Sequence, residues 1–570
     1  MKINTQFAFV VALFTLSLPV LSAPATPDAG TLQRETQPSL QGPSSAKPSI
    51  TPSTPVIEET QAERILVTRF VVEGATLIPA SQLEDTLTDL LGKRLSLNEL
   101  KAAAQRIARY YREQGWYVNS FLPAQDVTSG TVRIQVIEAQ LNKIERQQQG
   151  TRTAGDFVQR MMLQGQQAGE PLSATRLERG VLLADDLPGI HASVLLEAGE
   201  QAGDTNLNLR LQDTALFTGD VNANNYGVRS TGREQISGGV AVNSPSGYGD
   251  QISLRALATE HLTSASLGYS LPLGTNGWRM SAQASLLNYE LAGRFKALDA
   301  EGSASTLALG ANWAWVRQAS RNLYLSVNGE QRRYADDAFN TASRRHDIDA
   351  LNLSLSADLR DNWAGGGVSW GSVRLVSGKL DIRHVAGDIA ADKAGPKAAG
   401  QYQKLYIALN RLQQLGGSSW RLHTALNAQL ASKNLASSEQ MSLGGPSAVR
   451  AYPVSEASGD EGAILNIELQ RPFAGHYQAA LFADTGIINQ HKNTWSGWQG
   501  GLNRPNHYSL SGAGVALSWF YASPTFGQWQ LNSSLALPIG SNPGRDATGN
   551  NNDGSHPSDP RFWLSLTTTF

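Results

Sequence analysis

Leu351-Asn352-Leu353-Ser354-Leu355-Ser356-Ala357-Asp358-Leu359 alternates without a break: leucine or alanine at every odd position, asparagine, serine or aspartate at every even one. Successive side chains of a strand point to opposite faces, so this stretch has one apolar and one polar face. The same alternation governs Leu307, Leu309, Ala311, Trp313 and Trp315, then Leu422, Thr424, Leu426, Ala428 and Leu430, then Ala463, Leu465, Ile467 and Leu469. Runs of about 9–10 residues suit a transmembrane barrel strand, with lipid outside and a polar lumen within. A soluble sandwich alternates too, but its strands are usually about 5–6 residues long.

The pattern opens near Leu216 and holds to Phe570, a span of 355 residues. Sixteen strands would take about 22 residues each with their connections, of which about 9–11 cross the membrane; eight would leave more than about thirty per connection. A sixteen-stranded barrel is therefore expected. Polar, Gly/Asp/Asn-rich stretches at 334–349, 381–400, 489–507 and 541–560 are candidates for its long loops. In the final run Phe562, Leu564, Leu566, Thr568 and Phe570 share one face.

Composition agrees with a membrane protein that is not helical. The chain has 570 residues, net charge −2, 17% charged residues, 54 glycines and no cysteine. Its mean hydropathy of −0.27 disfavours helical spans, which need about 20 nearly continuous apolar residues. Near-neutral charge disfavours a nucleic-acid partner. The lack of cysteine excludes disulfides, thiolate zinc sites and cysteine nucleophiles.

Residues 1–23 read as a secretory signal, with Lys2 before the short apolar run Phe7–Leu18 and small residues at Ser22 and Ala23. Residues 24–61 are rich in Pro, Ser and Thr and read as a linker or tail; no periodicity there marks a helix. Two small α+β units follow, at 62–140 and 141–215. In the first, Ile65–Val72 is strand-like, and Ser81/Glu84 and Ser96/Glu99 fit capping boxes. Leu97, Leu100, Ala104, Ile107 and Tyr111 form a helical stripe, and Trp116–Leu122 and Thr131–Ile137 are strand-like. The second repeats this β-α-α-β-β order less clearly.

Three groups of motifs carry a family resemblance. Gly115-Trp116-Tyr117, Leu122-Pro123-Ala124-Gln125-Asp126 and Gly130-Thr131-Val132-Arg133-Ile134-Gln135-Val136-Ile137-Glu138 resemble the first POTRA domain of two-partner-secretion transporters, the family of filamentous-haemagglutinin transporters and haemolysin activators. Asn225-Tyr226-Gly227, Thr231-Gly232-Arg233 and Gly249-Asp250-Gln251 are similar to the start of their barrel. Leu443-Gly444-Gly445-Pro446-Ser447-Ala448-Val449-Arg450-Ala451-Tyr452 resembles their loop motif, with Ala451 where Gly is usual; Phe482-Ala483-Asp484-Thr485-Gly486 fits the companion strand motif. The terminal Phe570 resembles the end signal of outer-membrane barrels, so Phe562, Leu564, Leu566 and Phe570 are the expected assembly signal.

The resemblance implies two POTRA domains before a sixteen-stranded outer-membrane barrel. The pore would export one large unfolded partner (an adhesin, cytolysin or toxin) from periplasm to cell surface. Outer-membrane lipids and the barrel-assembly machinery are its other expected partners. It also implies that the loop folds into the barrel and its Arg meets the wall Asp, so Val449, Arg450, Tyr452, Phe482, Asp484 and Gly486 are the expected lock. Physics supports the pairing: Asp484 facing lipid would be costly, and a lumenal carboxylate accepts a bidentate bond that a guanidinium can give and an ammonium cannot. Partner contacts are expected at Trp116, Tyr117, Leu122, Gln125, Val132 and Ile134, beside a sheet edge able to accept a peptide as an added strand. An insertase of the same superfamily and a passive porin or adhesin barrel are the alternatives. No catalytic constellation, cofactor motif or metal-ligand set stands out; Asn550–Gly554 fails as a calcium loop because Gly549 sits where the first carboxylate belongs.

Overall fold

The computed structural model describes residues 26–36, 50–52, 64–523 and 527–570; the expected signal segment lies outside them. Among the described residues, sixteen strands close an antiparallel barrel. They are β1 (Phe217–Asn224), β2 (Gln235–Asn243), β3 (Gln251–Ala258), β4 (Leu262–Leu273), β5 (Trp278–Glu290), β6 (Glu301–Arg317), β7 (Arg321–Ala338) and β8 (Thr341–Asp361). There follow β9 (Gly367–Ile382), β10 (Gly400–Gln414), β11 (Arg421–Ala431), β12 (Glu461–Phe473), β13 (Tyr477–Asn489), β14 (His507–Ser523), β15 (Gly527–Ile539) and β16 (Arg561–Thr569). Strand β16 closes on β1 with Asp220 opposite Thr569, and Phe570 exchanges both backbone hydrogen bonds with Gly219 at 2.9 and 3.0 Å.

The burial is inside-out. On β8 the leucines at 351, 353, 355 and 359 are 42–55% exposed, while Asn352 and Asp358 are each 7% exposed and face the lumen. Only an apolar surround makes that arrangement stable, so the outer face is the lipid face. Trp278, Trp313 and Trp315 stack in a row at centroid spacings of 5.3 and 5.8 Å, part of an aromatic girdle at the end near the N-terminal domains.

The stretch 334–349 corrects one loop expectation. It is a projecting hairpin whose two-residue turn is Phe339-Asn340, both at positive φ (51° and 57°), as a tight hairpin requires. Asp337, Arg345, Asp347 and Asp349 make it read as a polar loop, yet Tyr334 and Ile348 on the inner face are buried. The other three stretches do contain long connections, and 383–399 carries helix Ala386–Ala394.

The segment read as linker is also corrected. Ala29–Thr36 is a helix, α1, inside the barrel, and Ile50–Pro52 adds a parallel strand beside Ile190–Ala198. Eight residues are too few for a periodicity to show in sequence. Barrel contacts hold α1 in place, since isolated helices this short are marginal in water.

The first small domain has a three-stranded sheet ordered Arg69–Glu73, Thr131–Glu138, Val118–Phe121, packed on helix Leu97–Glu113. That helix begins with the Ser96/Glu99 capping box. The Ser81/Glu84 box does not form: the helix starts at Ala80, and Glu84 instead accepts from the Val72 N–H at 3.1 Å. The second domain docks on the barrel rim. Buried Arg317 at the end of β6 makes two 2.7 Å bonds to Asp186, and the Ala319 N–H donates to Glu178 at 2.7 Å.

Candidate functional site

The connection 432–460 between β11 and β12 folds into the lumen. Met441–Ser442 pairs with Ser458–Gly459 to form its neck, and Val449 N–H donates to Leu443 O at 2.8 Å to close its tip. Leu443, Val449 and Tyr452 are fully buried in a cluster with Phe482, Ile488 and Leu510, so apolar contact anchors the loop to the wall.

At the tip, Arg450 Nε and Nη2 donate to the two oxygens of Asp484, each at 2.8 Å. Nη1 donates to Glu468 at 3.0 Å, and the Arg450 backbone N–H reaches Asp484 at 3.1 Å. Cross-strand register explains the constellation: Asn466 faces Asp484, and Glu468 faces Phe482 one row on. The guanidinium spans both rows and lies 3.3 Å from the Phe482 ring centre, a cation–π contact. Asn466 donates to Asp484 and to Ala448 O, both at 2.8 Å, so Asp484 is saturated although its side chain is wholly buried. Alternation alone puts Asn466 and Glu468 on the inner face, between the outward Leu465, Ile467 and Leu469. It does not say that they touch Arg450.

Two glycines of β14 make the space. A Cβ at Gly512 would lie 2.4 Å from the Ala451 methyl, and one at Gly514 would lie 2.6 Å from the Phe482 ring. Ala451 is therefore accommodated by an opposing Gly, which is why the loop tip keeps its place despite the extra methyl. Gly486 faces the Leu443 side chain at the loop base. Trp563 of β16 donates its indole N–H to Arg450 O at 2.8 Å, tying the closing strand to the tip. It lies on the face opposite Phe562 and Leu564, which point outward with Phe570 at 40–61% exposure. Leu566 lies on that outer face too, partly covered.

Helix α1 bridges both limbs of this loop. Arg34 donates to Ser437 O at 2.9 Å and Gln440 O at 3.0 Å on the entering limb, while Glu35 accepts from Ser455 Oγ at 2.7 Å on the leaving one. Asp28 accepts from the Thr31 N–H at 2.8 Å, from Ser437 and from Arg344. The Ala29 N–H donates to Asp336 at 2.8 Å. The entering limb is fixed by buried Glu439, which pairs with Arg332 at 2.5 Å and Lys404 at 2.8 Å. Burial pushes the Glu439 carboxyl up, but Lys404 and Arg332 outweigh it and hold it down to about 2.

The six residues expected to contact a partner separate. Val132 and Ile134 are fully buried on the central strand, which corrects their reading as partner contacts: they are core. Trp116 and Tyr117 form the joint between the small domains, Trp116 bridging to Ser173 and Tyr117 N–H donating to Leu172 O at 3.2 Å. Gln125 folds its amide onto the backbone of Arg133, at 2.6 and 2.7 Å, and Leu122 packs partly on the core. Glu138 collects the Thr76 and Leu77 N–H groups, each at 2.7 Å, and the Tyr111 hydroxyl at 2.8 Å. Burial raises its pKa, but these bonds outweigh that and leave it below the usual carboxylate range. Among the described residues no group of three or more His, Cys, Asp or Glu is placed to hold a metal ion.

A sixteen-stranded barrel with two small α+β domains at one rim and an Arg-tipped loop bonded to its inner wall defines the class of POTRA-bearing outer-membrane barrels. The chain belongs to the haemolysin secretion/activation protein ShlB/FhaC/HecB family, whose model matches residues 203–518; a ShlB-type POTRA domain matches 65–139. It is 28% identical to the heme/hemopexin transporter protein HuxB of Haemophilus influenzae over the whole of both chains. It is 24% identical to the hemolysin transporter protein ShlB of Serratia marcescens, over 79% of this chain and 80% of that one. The solved structure of CdiB from Escherichia coli shares the fold, with a TM-score of 0.63 and 20% identity, covering 95% and 96% of the two chains. The protein is thus an outer-membrane transporter of two-partner secretion, its POTRA domains lie in the periplasm, and its family consists of transport proteins. The insertase and passive-porin readings give way to that membership.

Proposed function

We propose that two coupled fastenings hold the loop inside the pore: the Arg450–Asp484 contact keeps its tip in the export-competent place, and α1 across the loop base shuts the pore. A secreted partner arriving unfolded from the periplasm would displace α1 while the tip contact keeps the loop in its export-competent place. The observation that carries this reading is the guanidinium of Arg450 bonded to two wall carboxylates, a geometry that fixes position and orientation together. Replacing Arg450 with Ala and measuring partner secretion at matched barrel abundance tests it; undiminished secretion would count against the tip contact.

The first POTRA domain offers the recognition edge. Val118–Phe121 is the short outer strand of its sheet and Phe121 is exposed, so an extended segment of the partner can add beside it through main-chain bonds. Deleting residues 62–140 while keeping the barrel should abolish partner binding. For the cargo itself, the full-length match to a protein named for heme/hemopexin transport favours a partner of that kind over an adhesin, cytolysin or toxin. Co-expressing the neighbouring large open reading frame and assaying the medium for protein and for hemopexin binding separates these. We further propose that Phe562, Leu564, Leu566 and Phe570, on the outer face of the closing strand, address the chain to the barrel-assembly machinery.

A further inference from the structure

The lipid face of the barrel carries a groove that the transport reading does not use. Its floor is small: Ala357 of β8, Gly371 and Ser369 of β9. Its walls are Leu355 and Leu359 on one side and Leu409 and Leu426 on the other, all pointing outward. Register builds this dent, because Ala357, Gly371, Leu409 and Leu426 lie in one row across four strands. The cavity measures about 530 Å³, within the usual 300–1,000 Å³ of small-molecule sites. Its place on the outer wall of an outer-membrane barrel makes lipid the occupant.

The periplasmic end of the groove has a polar rim. Arg411 grips Asp361 with bonds of 2.8 and 3.1 Å and also donates to Ser369 at 2.7 Å. Both charged side chains remain about a quarter exposed (27% and 28%), and Trp363 beside them is 70% exposed. The pair is neutral as a whole and by itself offers an anionic headgroup no net attraction; Arg321, in the same outward row beyond Leu359, is turned to Gln318 at 2.6 Å. A zwitterionic headgroup matches the pair, with ammonium toward Asp361 and phosphate toward Arg411.

We propose that this groove binds one acyl chain of a zwitterionic phospholipid whose headgroup sits at the Arg411–Asp361 pair. Lipid tails are as apolar as leucine, so there is no hydrophobic gain in leaving the bilayer for the groove. Retention comes from van der Waals contact along the dent and from the matched headgroup charges.

Native mass spectrometry of the full-length barrel settles the point, using phosphatidylethanolamine and phosphatidylglycerol of identical chains at equal concentration. The wild type should keep one phosphatidylethanolamine after other lipids are stripped. Ala357→Phe, which fills the groove from a lipid-facing position, should lower that retention at least fivefold. Ala282→Phe, outward on the far strand β5, should not. Asp361→Asn leaves Arg411 unbalanced and should move the preference to phosphatidylglycerol. Equal retention by Ala357→Phe and the wild type overturns the groove, and an unchanged preference in Asp361→Asn overturns the headgroup assignment. Lipid retention is read separately from secretion, so neither result depends on the proposed fastenings.

Discussion

Arg450→Ala removes three side-chain hydrogen bonds and the contact with the Phe482 ring. Asp484, whose side chain has no exposed surface, would keep only Asn466 and the backbone N–H of residue 450. Breaking a buried pair from one side costs about 3–5 kcal/mol, because the surviving charge stays buried without its partner. Glu468 is 17% exposed and adds less, about 1 kcal/mol or below. The barrel strands keep their own pairing, so the cost falls on the loop. A change of about 3–5 kcal/mol moves the locked-to-free ratio of the tip by roughly two to three and a half decades. Secreted partner per folded barrel, with protease access to residues 444–452, reads both consequences. Arg450→Lys should fall between, since an ammonium cannot bond both carboxylate oxygens in the planar geometry. Adding Asp484→Asn to Arg450→Ala removes the orphaned charge and should restore part of the loop's protection. Wild-type secretion with a protected loop in Arg450→Ala would refute the reasoning, as would a double variant as damaged as the sum of the singles.

Four other outcomes are expected. A side chain at Gly30 would start 2.9 Å from the Ser438 Cβ, so Gly30→Leu should dislodge α1; overpacking of about 1–3 kcal/mol predicts about a fivefold or greater rise in the open fraction, read as ion conductance in planar bilayers. Gly512→Ala should impair secretion through its clash with Ala451, and Ala451→Gly in the same chain should rescue it. Ile134→Ala should lower the stability of the first POTRA domain by about 2–5 kcal/mol in denaturant titration, whereas Phe121→Ala should change partner binding and leave that stability nearly unchanged. Because the folded pKa of Glu138 lies below its unfolded value, its contribution is present above about pH 4.3 and lost as pH falls through the folded value; Glu138→Gln should flatten the acid limb of the stability curve.

How far the sequence could be read depended on the range of the interaction involved. Alternation is local, so Leu351–Leu359 and its fellows announced the barrel, its lipid face and the inward side of Asp484. Ser96 and Glu99 announced a helix start because a capping box needs only four residues. The Ser81/Glu84 pair has the same letters, but a contact to Val72 from the neighbouring strand engages Glu84 instead. Polar letters at 334–349 concealed a hairpin because its outer face is wet and its inner face is covered by lumenal contents. Val132 and Ile134 matched a family motif for reasons of packing; their letters could not say whether that motif marks a surface or a core.

The sequence by itself determined that the chain is a β-barrel preceded by two small α+β domains, since faces and periods depend only on residue order along a strand or helix. Tertiary structure decided what the charged residues do. Arg450 meets Asp484 and Glu468, Glu439 meets Arg332 and Lys404, and Arg34 with Glu35 joins two limbs of a loop more than four hundred residues away. Those encounters depend on which strands become neighbours when the barrel closes and on what enters its lumen. No local pattern encodes either, because residues paired through space carry no shared period along the chain.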